Sequence, residues 1–367
     1  MANMDSSQSS LEPVNIFSEW YPKLCHIMKR SPIPALKPLK IGDLLTLKFV
    51  GDEFGVDEWI LIAHALSSDK SLQVLSIKSE LIDCSFLHDA DSEQKVRSIQ
   101  REFGWLWTAY IFKLLTISIS FAIRQTEALT RLELDGLPMF PQYLEDLLKA
   151  LGKNRTIIHL SLANCIIGDA GCETVCKHIR GTPNIEILNL SGCHLSSKSG
   201  EYLADLMQYQ RFKRYSGERE WSLARRIESS RKYDMRGVKR ITINDNAIFG
   251  DEGFEYLLNE LKNNSWIKAL DLRRCGITEE LTPIIINILC SQKSLEIVDL
   301  RLNDCMNQKT IKRVQELLQQ DIECRQEFDD SSNLTLDSTD DSKFSVNSIV
   351  THLIQFFIFC YDKLMNH

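Results

Sequence analysis

Eleven cysteines and eight histidines are the residues of this 367-residue chain best suited to chemistry. One set, Cys165, Cys172, Cys176 and His178, offers soft ligands of the kind that hold zinc. Its spacing contains no CxxC pair, however, and the surrounding pattern accounts for each cysteine singly. Cys165, Cys193 and Cys275 recur where Asn246 and Asn303 stand in other copies of one motif, at a turn where a small polar side chain bonds backbone groups. Cys172 takes the place of Phe254, and Cys176 that of Leu258, so both read as core. The sequence shows no phosphate-binding glycine loop, HExxH, GxSxG or kinase signature, and His159 and His178 stand alone. No catalytic, cofactor or metal set is expected, and neither is an enzyme.

The motif that places the cysteines is clearest in IIHLSLANCIIGDAG and IEILNLSGCHLSSKSG. Each copy opens apolar, x, x, apolar, x, apolar, which puts alternate side chains on one face of a short strand. A step of 28 residues separates Ile157 from Ile185, room for a strand, a turn and a helix of about three turns. This is a leucine-rich-repeat pattern, and one unit cannot bury its own apolar face, so neighbours must stack. It opens at Leu44, Leu72, Leu129, Ile157, Ile185, Val238, Ile267 and Leu295. Two longer gaps, after Leu72 and after Ile185, each hold one repeat plus an insertion. Helical periodicity recurs in phase, as in Ile62, Ala63 and Leu66, Leu147, Leu148 and Leu151, or Leu203, Ala204 and Met207. The expected fold is an α/β solenoid of the ribonuclease-inhibitor horseshoe type, with about eight repeats and two insertions.

Domain limits follow from that register. Residues 1–13 are polar and expected to be disordered, and 14–43 form an N-terminal helical cap ended by the Pro-rich run at Ser31 to Pro38. The solenoid occupies 44–325, with insertions at about 82–110 and 209–236. An acidic, Ser-rich linker follows at 326–347, then an apolar segment at 348–367. Residues 83–101 read as a charged loop. Phe103 to Ile123 is strongly apolar, either a membrane span or the helical half of the second repeat. The helix fits better, because Ile123 keeps the phase of a repeat helix before Leu129 and the flanking repeats must stack on each other. The net charge of -7 argues against a general nucleic-acid binder. The N-terminus lacks the pattern of a secretory signal, so the chain is expected to be cytosolic.

Two surfaces are candidates for binding other proteins. Residues alternating with the apolar ones of each strand should point outward as a mixed-charge ribbon on a concave face. From the third repeat these are Arg131 and Glu133, from the next His159 and Asn164, and then Asn189. Arg240, Asn244, Asp271, Arg273, Asp299 and Arg301 continue it. The second insertion reverses the charge of the chain locally, with nine Lys and Arg against four Asp and Glu between Tyr209 and Arg236. Tyr209, Gln210, Arg214, Trp221, Arg225 and Arg226 are its candidate contacts. Docking of an acidic partner segment and a solvated helical hairpin packed on the rim both fit this composition; RNA is a third reading, since aromatics stack bases.

The strings HLSLANCIIGDAG, LQVLSIKS, KRITINDNAIFGDEG and IKALDLRRCGIT, with the insertion that runs from YQ to WSLARR between the same repeats, resemble a family of centrosomal leucine-rich-repeat proteins. The likeness covers about residues 14 to 305. It implies a non-enzymatic scaffold in the cytoplasm and cytoskeleton, at the centrosome, centriole and ciliary basal body. It further implies a role in cilium assembly, with centriolar proteins, a ubiquitin-ligase substrate receptor and a centriolar kinase as partners. The family's C-terminal coiled coil has no sustained heptad to match it here. A leucine-rich-repeat regulator of a small GTPase and a tropomodulin-like capping module are the other readings the repeats allow.

Overall fold

The computed structural model describes residues 16–81, 89–103, 107–139, 141–224, 236–292 and 294–333. The expected N-terminal tail and the segments after 333 lie outside them. The chain divides into two compact units, Met1–Asp321 and Ile322–His367, and the sheet belongs to the first.

Among the described residues that sheet has nine strands in sequence order, β1 (Leu39–Ile41), β2 (Leu44–Val50), β3 (Val74–Lys78), β4 (Arg131–Asp135), β5 (His159–Ser161), β6 (Ile187–Asn189), β7 (Arg240–Thr242), β8 (Ala269–Asp271) and β9 (Ile297–Asp299). From β2 onward every neighbour is parallel and in one register, so Leu132, Leu160, Leu188, Ile241, Leu270 and Val298 form a single row. From β3 onward each strand starts two residues after the opening position inferred from the sequence. Among the described residues neither longer gap adds a strand, since β3 bonds β4 and β6 bonds β7 directly. Of the inserted residues that are described, 93–103 and 209–224 are helical.

The row is buried, with Leu160, Leu188 and Ile241 at 0% exposure, and it merges with the helix interiors into one continuous core. Truncating any of these leucines to alanine costs about 2 to 5 kcal/mol, because rigid neighbours on both sides stop the void from closing. The turn positions complete each seam. Cys165, Cys193 and Cys275 donate their thiols to the carbonyls of Leu134, Leu162 and Ile243 in the preceding repeat at 3.1 to 3.2 Å. Asn246 does more at the same place: its amide donates to Leu190 and Ile243, and its oxygen accepts the Leu195 N–H at 3.0 Å. Burial pushes the Cys275 thiol up to about 12, so it remains a protonated donor.

Helices α1 (Phe17–Ile27), α2 (Val56–Ser68), α3 (Glu93–Phe103), α4 (Ala109–Gln125), α5 (Pro141–Leu151), α6 (Gly168–Ile179), α7 (Ser197–Ala224), α8 (Gly250–Leu261), α9 (Thr282–Ser291) and α10 (Gln308–Asn333) complete the fold. α4 is the amphipathic repeat helix expected from its phase; Ile111, Phe112, Leu115, Ile119 and Ile123 are buried. Among the described residues no helix is long and apolar enough to cross a membrane.

Four expectations change. The N-terminal cap is not only helical: β1 pairs antiparallel with β2 through the turn at Gly42 and Asp43. The charged stretch before residue 101 is partly a helix, α3, because Glu93 and Arg97 pair one turn apart and Val96 reaches the core. Asp57 of α2 joins the same Arg97. α10 runs through the start of the expected linker, as far as Asn333. Finally, Asp169 and Asp251, which the sequence places at the turn into a helix where a carboxylate can cap exposed backbone N–H groups, reach sideways to the next repeat instead. Asp169 accepts from the Ser196 N–H at 2.9 Å and from the Ser196 and Ser199 hydroxyls at 2.5 Å. Asp251 does the same for Thr278. Burial would raise the Asp169 carboxyl, but those serine bonds outweigh it and hold it below the usual range.

Candidate protein-binding surfaces

The sheet face carrying the polar ribbon binds mostly to itself. Arg240 on β7 grips Asp271 on β8 with two bonds of 2.8 and 3.0 Å, and the Thr242 hydroxyl adds a third at 2.7 Å. Arg301 holds Asp299 at 2.8 and 2.6 Å, and Arg273 approaches the same carboxylate at 3.7 Å. Arg131 lies 3.8 Å from Glu133, and Asn164 donates to Asp135 at 2.7 Å. Two of these pairs, Arg131–Glu133 and Arg301–Asp299, join residues two apart on one face of a single repeat, whereas Arg240 reaches Asp271 diagonally across the β7–β8 register, in which Thr242 stands beside Asp271. Asn189 turns back to the Ser191 N–H and hydroxyl.

Two ribbon residues do not point outward. Asp271 is 4% and Asn244 5% exposed, and the Asn244 oxygen accepts the Arg273 N–H at 2.8 Å. They hold strands together. His159 stands between Arg131 on β4 and Ile187 on β6, half-buried. Burial and the two nearby guanidiniums, Arg131 and Arg240, push its imidazole down to about 4, so it is neutral at physiological pH.

The second insertion begins as a direct continuation of a repeat helix. α7 runs 28 residues, against 12 in α6 and α8, so its extra turns extend past the repeat it serves. It is therefore no hairpin as far as Ala224. Its base is fixed by close approach to α8, where a Cβ on Gly200 would meet the Gly253 carbonyl oxygen at 2.3 Å. Farther along, Arg211 donates two hydrogen bonds to the Glu260 carboxylate of α8 at 2.7 and 3.3 Å, both side chains largely buried.

Gln210 belongs to the frame rather than to a contact surface. It is 1% exposed, its amide donates to the Ile179 carbonyl, and its oxygen accepts the Val238 N–H at 2.9 Å. In the repeats that open at Leu72, Leu129 and Ile157 the residue three before the opening position performs this cap, Asp69, Thr126 and Asn154 in turn. The insertion displaces that local cap before Val238, and Gln210 supplies it from the helix. Gly237, with a φ of +65°, lets the returning chain pass over the Gln210 oxygen, which a Cβ would meet at 2.6 Å.

The other insertion residues gather cations over rings. Arg180 and Lys213 lie 5.1 and 5.7 Å from the Tyr209 ring centre. Arg211 lies 4.8 Å from that of Phe212, and Arg214 and Lys239 lie 4.6 and 5.4 Å from that of Trp266. Arg214 also donates to the Arg236 carbonyl at 3.1 Å, tying the helix to the strand-entering end of the insertion. Phe212 is 57% and Tyr215 50% exposed, large apolar surfaces that the helix holds in water. Both are among the aromatic residues interleaved with the cations of the insertion, at one-turn spacing. Trp221 lies in the last part of α7, and Arg225 and Arg226 fall outside the described residues. Among the described residues no group of His, Cys, Asp or Glu is arranged to hold a metal.

A Leucine Rich repeat family profile matches residues 153–176, 183–204 and 263–280. The centrosomal protein of 78 kDa from Homo sapiens is 29% identical over 312 residues, covering 85% of this chain and 44% of that protein. Its counterpart from Xenopus tropicalis is 30% identical over 299 residues, covering 81% of this chain and 40% of that one. The chain thus spans less than half the length of these curated relatives. No catalytic family is indicated. Among solved structures, a Caenorhabditis elegans tropomodulin C-terminal domain aligns with 57% of this chain and 95% of its own at 14% identity and a TM-score of 0.35, too slight a likeness to carry an argument.

Proposed function

Because this chain is a homologue of the centrosomal proteins of 78 kDa along its repeat region, we propose that it is a non-enzymatic scaffold of the centrosome and ciliary basal body. It docks centriolar proteins and, through them, supports cilium assembly and modulates a ubiquitin ligase and a kinase. Its frame is a horseshoe of about eight repeats of the ribonuclease-inhibitor type. The observation that carries the reading is the continuation of α7 beyond its repeat with Phe212 and Tyr215 held exposed. An exposed aromatic pair on a rigid helix is the composition of an interface anchor. The polar sheet face supports it as a rim whose charges are already mutually satisfied. A tagged chain should concentrate at centrosomes in ciliated cells, and a variant with Phe212, Tyr215 and Trp221 changed to alanine should disperse. An intact chain that stays diffuse would sink this assignment.

A further inference from the structure

The insertion edge gathers cations in a chain that is otherwise acidic. Its described part sets Arg180, Arg211, Lys213, Arg214 and Lys239 against the faces of Tyr209, Phe212 and Trp266. Energetically significant cation–π pairs occur about once per 70 to 80 residues; five in one edge is a concentration. Two acids sit among them, Glu260 bonded to Arg211 and Glu186 bonded to Lys239 and Arg236. Counted over the insertion, nine cationic residues face four acidic ones while the whole chain carries -7. A cation stacked on a ring keeps part of its charge available to a second partner, because the ring quadrupole is a weaker neutraliser than a carboxylate. Phe212 and Tyr215 add apolar area beside that charge.

Resting on the reading of α7 as a docking helix, we propose that its partner is an acidic peptide segment of another protein, rich in Asp and Glu and carrying an aromatic or aliphatic anchor. The anchor packs on Phe212 and Tyr215, and the carboxylates lie along the line of Arg180, Lys213 and Arg214. The charge of the edge selects against basic segments, and the exposed rings give a short acidic segment something beyond screened Coulomb attraction.

The test is a fluorescence-anisotropy titration of the full chain with a short labelled peptide of Glu, Asp and one Phe, beside its Lys-for-acid counterpart. The acidic peptide should bind at least tenfold more tightly, and raising the salt should weaken it. Lys213→Glu with Phe212→Ala, both on exposed positions, should abolish the binding while the circular dichroism and melting curve stay unchanged. Equal affinity for the two peptides, or an undiminished affinity in the variant, overturns the proposal. Tighter binding of a single-stranded RNA or of phosphatidylserine vesicles than of the acidic peptide overturns it as well. Peptide binding that persists in a chain absent from centrosomes would sink the centrosomal reading and leave this one standing; centrosomal localisation without peptide binding would do the reverse.

Discussion

The polar sheet face and the insertion edge both carry arginines, and they use them in opposite ways. On the sheet, Arg240 and Arg301 are locked by bidentate bonds to Asp271 and Asp299. At the edge, Arg180, Arg214 and Lys239 lie over rings. The first arrangement spends the directional bonding of the guanidinium on carboxylates, and Arg240 ties β7 to β8 with it; in the second the rings take the faces of the cations, while Lys239 also bonds Glu186 and Arg214 the Arg236 carbonyl. A leucine-rich-repeat face dense in charge is therefore not by that fact a binding face.

Between these two regions, the largest effect should come from breaking the sheet ladder. Asp271→Ala removes the acceptor of three bonds from a site 4% exposed and strands Arg240 and Thr242. Arg240 keeps 41% of its side chain in water, so the cost is discounted from that of a fully buried pair to about 2 to 3 kcal/mol. Denaturant titration should show the loss, and binding of the acidic peptide should be unchanged. A variant as stable as the parent would mean that the ladder is a surface decoration.

Gln210→Ala tests the comparison from inside the insertion. The glutamine lies among candidate contacts, yet it is buried and caps Val238. Its removal should cost about 1 to 2 kcal/mol by leaving a buried N–H without its acceptor. Peptide affinity at temperatures where the variant is folded should not move. A fall in affinity with unchanged stability would return Gln210 to the contact set.

Such a residue marks where the sequence stops being legible. The repeat openings were readable because apolar spacing is a local property, and it located every strand from β3 to β9 and the phase of α4. The turn cysteines were readable for the same reason, since Asn246 and Asn303 occupy their place elsewhere. What was missed is lateral. Asp169 looked like the cap of the helix it begins, but its acceptors are spent on Ser196 and Ser199 one repeat away. Gln210 replaces a cap far from it in sequence, and Asn244 and Asp271 are buried only because the neighbouring strands lie against them. α3 was hidden because charged residues dominate its sequence, although Val96 is buried and Ile99 packs against the core one turn later.

His159 gives the sheet face a pH signature. Its imidazole is held at about 4 in the folded chain against an ordinary 6.5, chiefly by burial and then by Arg131 and Arg240. Between those values the unfolded chain takes up a proton that the folded chain refuses. Stability is therefore full above about pH 6.5 and falls as the pH drops toward 4. After discounting for partial exposure the loss is on the order of 2 kcal/mol. His159→Gln should remove that component of the pH-dependent melting curve, and an unaltered curve would place the titration elsewhere.

The smallest stability change belongs to the residues with the largest expected role in binding. Phe212 and Tyr215 are 57% and 50% exposed, so replacing both by alanine removes little buried area and should shift stability by less than about 0.5 kcal/mol. Arg211 would lose the ring beneath it but keep Glu260, and α7 would keep its seat on α8 through Gly200. Binding should nonetheless fall at least tenfold, about 1.4 kcal/mol, because the apolar anchor of the acidic segment is gone while the cations remain. Measured on the same sample, an unshifted melting curve beside a lost anisotropy signal separates contact from frame. If the double variant instead melts earlier and binds as before, those aromatics support the helix, and the division drawn between the two regions fails at the place where it is sharpest.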